Sequence, residues 1–69
     1  MPVKCLLRQI RWNKGKMKAK DLAELAGIPP EQISRWERGN AVPTLEMALR
    51  LALALGCRVD DIFVFEELE

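Results

Sequence analysis

The chain contains no histidine and only two cysteines, Cys5 and Cys57. That leaves no zinc-ligand set, so neither a metal nor a cofactor is expected. No nucleophile–base pairing is visible either, so an enzyme is not expected. Long apolar runs are missing too. The stretch Met47 to Leu55 is interrupted by Arg50 and falls far short of the roughly 20 residues that span a bilayer. Met1-Pro2-Val3-Lys4 leads into an amphipathic segment, with no apolar core or cleavage site of a secretion signal. A reducing cytoplasmic setting is the expectation, with both cysteines as small buried hydrophobes instead of a disulfide. No internal repeat, low-complexity tract or linker divides the chain, so residues 1–69 read as one domain. A core of this size is marginal. Efficient helix packing, or a dimer, must support it.

The net charge of +1 says little about partners, but its distribution says more. Residues 1–38 carry nine Lys/Arg against four acids, and residues 39–69 carry two against six. Such asymmetry points to a polyanion on one face. The alternative is chance clustering on a solvated helix surface.

The hydrophobic pattern predicts five helices. The first covers residues 4–14, with Leu6, Leu7 and Ile10 on one face and Gly15 as its stop. The second covers 18–26 and ends at Gly27. Lys16, Lys18 and Lys20 cluster at its start, where a helix macrodipole disfavours cations. A phosphate clamp explains that placement; an ordinary solvated turn is the alternative. The third helix, 30–38, has Pro30 at its first position, where the missing N–H costs nothing. It is about two turns long and too short to stand alone in water. A helical wheel turns Ile33, Trp36 and Glu37 inward, points Glu31, Arg35 and Arg38 away, and leaves Gln32 and Ser34 on the flanks. A carboxylate on an inner face needs a cationic partner.

Thr44 caps a fourth helix, Leu45 to Leu55, stopped by Gly56. Leu45, Ala48, Leu49 and Ala52 form its expected core stripe. Met47 and Leu51 fall off that stripe and are candidates for a second packing surface, with repacking inside the monomer as the equal alternative. Val59 to Phe63 reads as a short fifth helix. The alternation through Ile62, Phe63, Val64 and Phe65 also permits a strand pairing with Val3 to Leu6.

Two short helices joined by a Gly-containing turn suggest a helix-turn-helix. The set Leu22-Ala23-Glu24, Gly27-Ile28, Ile33 to Gly39, Pro43 to Glu46, Ala54-Leu55-Gly56 and Val59 to Phe63 resembles the phage repressor/Cro-type domains, the Xre-like regulators. The likeness covers about residues 6–63. It implies an all-α, compact five-helix domain of the lambda-repressor-like type, with its motif at about residues 18–38 and a short C-terminal strand as an option. It also implies a structural ion pair, here Arg11 with Glu37. Three departures stand out. The first loop is one residue longer, at Gly15-Lys16-Met17. Lys18-Ala19 replaces the usual Thr-Gln, and Pro29-Pro30 replaces polar residues at the start of the reading helix.

The expected function is sequence-specific binding of double-stranded DNA in transcriptional regulation, with the third helix in the major groove. Glu31, Gln32 and Arg35 would contact bases. Lys16, Lys18, Lys20, Arg38 and Asn40 would contact phosphates. So small a domain makes few contacts, so a homodimer is expected, through Met47, Leu51, Phe63 or Phe65. The competing reading is a protein-interaction module, such as an antitoxin or adaptor, that holds a protein partner with its acidic, apolar C-terminal half.

Overall fold

Helix formation begins later than the periodicity predicts. In the computed structural model, which describes residues 3–66, the first segment is a strand, β1 (Val3–Cys5). Helices follow at α1 (Leu7–Asn13), α2 (Ala19–Ala26), α3 (Pro30–Glu37), α4 (Leu45–Leu55) and α5 (Val59–Ile62), and the last element is β2 (Phe63–Phe65). The two strands pair antiparallel, Val3 opposite Phe65 and Cys5 opposite Phe63. The strand reading of the C-terminal segment therefore holds within one chain. Leu6 N–H donates to Ile62 O at 2.7 Å and ties the start of α1 to the end of α5. Glu67, Leu68 and Glu69 lie outside the described residues.

The core takes at least one fully buried aliphatic from every helix: Leu7, Leu22, Ile33, Leu51, Leu55 and Ile62. Each such side chain contributes roughly 1.5–3 kcal/mol of transfer free energy. Thr44 Oγ1 caps α4 by accepting from Met47 N–H at 3.3 Å. Gly27 turns the chain from α2 toward α3 at φ 69°, a conformation that side-chain-bearing residues avoid. Ile28 N–H there donates back to Ala23 O at 3.0 Å, closing the helix end.

The face assigned to α4 needs correction. Leu51, a candidate for a second packing surface, is wholly buried, which matches the alternative of packing inside the monomer. Leu45 and Leu49 were expected in the core, yet they are 74% and 54% exposed. The inward face is Ala48, Leu51, Ala52 and Leu55. α4 packs against α2, which turns its own Ala23 and Ala26 inward. The wheel could not choose because α4 is apolar nearly all round. Met47 and Phe63 are half-buried and pack against the core, so of the four residues expected at a dimer surface only Phe65 is largely free.

Cys5 and Cys57 are free thiols, both half-buried beside the core. Burial is the main cause that pushes each thiol above its ordinary value; at Cys5 a backbone hydrogen bond with Leu7 opposes it and Glu37 adds to it, and at Cys57 Asp61 adds to it and Lys14 opposes it. The thiolate is the reactive form. Iodoacetamide at pH 8 should therefore label both thiols more slowly in the native protein than in urea, read by mass spectrometry. Equal rates in the two conditions would contradict their burial.

Candidate nucleic-acid interface

The short helix α3 is held by two kinds of anchor. Ile33 and Trp36 are buried at 0% and 4% exposure. Glu37 is fixed by the guanidinium of Arg11: Nε donates to Oε2 at 2.8 Å and Nη2 to Oε1 at 2.9 Å. Both side chains are only 13% exposed. This bidentate fork is the cationic partner that the inward carboxylate requires. Arg11 Nη1 also donates to Met17 O at 2.8 Å, so one side chain secures both α3 and the loop before α2.

With that face anchored, Glu31, Gln32 and Arg35 are exposed; the wheel turns Glu31 and Arg35 outward and puts Gln32 on the flank. Gln32 and Arg35 share an open groove of about 420 Å³, whose far wall is Val42, Pro43, Thr44 and Met47 at the start of α4. Glu31 stands outside that groove. Pro29 starts α3 in an extended conformation with no side-chain cap, so this terminus lacks the polar residues that the resemblance leads one to expect.

The expected lysine clamp divides in two. Lys16 and Lys18 border a second open groove of about 390 Å³ with Arg8, Arg11 and Trp12. No acid lines it. Lys20 lies elsewhere, along a depression that reaches Pro29 and Pro30. Asp21 offsets the cations at this helix start, its Oδ2 accepting from Lys18 N–H at 3.3 Å. No side chain caps the other end of that exchange, because lysine has no acceptor. Arg38 and Asn40 are exposed after α3. Arg38 borders a cleft near Lys4 and Glu66 of the strand pair.

Residues 7–62 match the helix-turn-helix family. The chain belongs to this family. Among its relatives, an uncharacterized HTH-type transcriptional regulator from Methanothermobacter thermautotrophicus is 35% identical over 66 residues, covering 94% of each chain. One from Archaeoglobus fulgidus is 34% identical over 56 residues, covering 81% of this chain and 79% of the relative. Another, from Bacillus subtilis, is 30% identical over 61 residues, covering 88% and 91%. α2, the Gly27 turn and α3 are the two short helices and Gly-containing turn that the sequence offered as the motif.

Two members of the basic groove were missed from the sequence, Arg8 and Trp12. Arg8 and Trp12 lie four apart on α1, a spacing that puts them on one face, whereas Lys16 lies beyond the end of that helix. Trp12 is 63% exposed, and Lys16 Nζ sits 5.2 Å from its ring centroid, within cation–π range. Lys16 also holds φ at 60°, a region uncommon for a residue with a side chain. This left-handed turn, in the loop between α1 and α2, thus places a cation over the indole.

Proposed function

We infer that this helix-turn-helix chain is a DNA-binding transcriptional regulator that reads duplex DNA with α3 in the major groove. One observation carries it. The helix is anchored by Ile33, Trp36 and the Arg11–Glu37 fork, while its outward side chains are those able to pair with base edges. Gln32 suits adenine N6/N7, Arg35 suits guanine O6/N7, and Glu31 accepts from cytosine N4. Lys16 and Lys18, joined by Arg8 and Trp12, form an acid-free wall for one phosphate track. Lys20, Arg38 and Asn40 hold phosphates on either side of the reading helix. The protein works by binding, not by catalysis. It acts in the cytoplasm as a homodimer on a two-fold operator. No helix among the described residues is long and apolar enough to cross a membrane.

Docking of a protein partner on Phe63, Val64 and Phe65 is the less favoured reading. Phe63 and Val64 are half-buried in the strand pair instead of displayed.

The test is selection from random duplex DNA, followed by anisotropy titrations at two salt concentrations. Arg35→Ala should cost about 1–3 kcal/mol at one base position and relax preference there. Lys18→Ala should weaken every duplex alike and reduce the salt slope by about one. Equal, sequence-blind losses in both variants would remove Arg35 as a reader. Absence of any salt-sensitive binding would overturn the DNA reading itself.

A further inference from the structure

The outer face of α4 carries three leucines four residues apart: Leu45, Leu49 and Leu53, exposed by 74%, 54% and 85%. They form one stripe about 12 Å long, from 1.5 Å per residue. Core packing does not explain them, because α4 already buries Ala48, Leu51, Ala52 and Leu55 on its other side. Glu46 and Arg50 run along one edge of the stripe and pair with each other at 3.0 Å. We propose that this face docks a second copy of the chain, the two α4 helices packing antiparallel about a two-fold axis at Leu49. The proposal rests on the dimer reading above and supplies its surface.

The charges select this occupant and this orientation. A two-fold axis across an antiparallel helix pair sets Leu49 against itself and Leu45 against the partner's Leu53. It also brings the same edge of both helices together. Glu46 then approaches the partner's Arg50, and Arg50 the partner's Glu46. A parallel pair about a two-fold axis would put the two Glu46/Arg50 edges on opposite sides of the interface, where they make no such pair. The face is thus complementary to itself, as an isologous interface must be. Three leucines alone bury less than the roughly 800 Å² per partner of a standard interface. The dimer is therefore expected to dissociate on dilution, with Kd in the micromolar range.

Sedimentation equilibrium of the whole chain over a range of concentrations tests this. Wild type should pass from monomer to dimer, and Leu49→Glu should weaken the dimer at least tenfold with an unchanged circular dichroism spectrum. Geometry is read by oxidative cross-linking in a Cys5→Ser/Cys57→Ser background. Leu49→Cys should cross-link to itself. Leu45→Cys should cross-link only when mixed with Leu53→Cys. A wild type that stays monomeric throughout overturns the dimer reading and this surface together. A dimer indifferent to Leu49→Glu overturns the surface alone. Self-cross-linking of Leu45→Cys overturns the antiparallel arrangement.

Discussion

Arg11→Ala should lower the unfolding free energy by about 3–5 kcal/mol, because it strands the Glu37 carboxylate in a largely buried site. For a small domain, whose core supplies only a few kcal/mol, that leaves a large unfolded fraction at room temperature. Glu37→Ala should cost a similar amount by stranding the guanidinium. Arg11→Met/Glu37→Met should recover much of either loss, since removing both charges also removes their desolvation cost. Arg11→Lys should fall between. It keeps the charge but cannot make both bonds to Glu37 and the third to Met17 O at once. Urea midpoints followed at 222 nm give the comparison. A single variant within about 1 kcal/mol of wild type would show the fork to be incidental. The fork also bears on DNA binding, because the bond to Met17 O holds the loop that places Lys16. Folded molecules of Arg11→Ala should therefore bind all duplexes more weakly.

The second large effect separates two residues of one helix. Leu51→Ala should cost about 2–5 kcal/mol, the range for a fully buried leucine that leaves a cavity. Leu49→Ala, measured under dilute, monomeric conditions, should change stability by no more than about 0.5 kcal/mol, as for most surface positions. The wheel drawn from the sequence ranks them the other way round, so this pair of variants decides directly which face of α4 points inward.

That reversal marks where the sequence stops being informative. The bounds of α4 were legible from Thr44 and Gly56, whose capping chemistry is local. Its rotation was not. With apolar residues at 45, 47, 48, 49, 51 and 52, more than one stripe satisfies the helical period. The choice falls to what lies opposite, which is α2 with its alanines. The orientation of α3 was legible for the opposite reason: two hydrophobes among polar residues leave one solution. The pairing of Arg11 with Glu37 joins positions 26 apart, beyond any local pattern. The wheel could state only that Glu37 needs a cation, and the family likeness named it. The first strand was read as helix because Lys4 to Leu6 fits both periods, and only its partner, sixty residues on, decides between them. Among the site residues, the exposure of Glu31 and Arg35 followed from the wheel, which put Gln32 on the flank. The groove of Arg8, Trp12 and Lys16 needed the left-handed turn at Lys16, which residue identity does not announce.

The pairing of Val3 with Phe65 has a kinetic meaning. It is among the highest-order contacts the chain can make, closing a loop that includes every helix. The entropy of such closure must be overcome before the few ribbon hydrogen bonds form. The contacts of α2 with α3 and α4 join segments much nearer in the chain, so they can assemble first and present the closed ends to each other. The ribbon is then expected to act as a clasp, last to fasten and first to fray, so its amides should exchange with solvent sooner than those of α2 and α4.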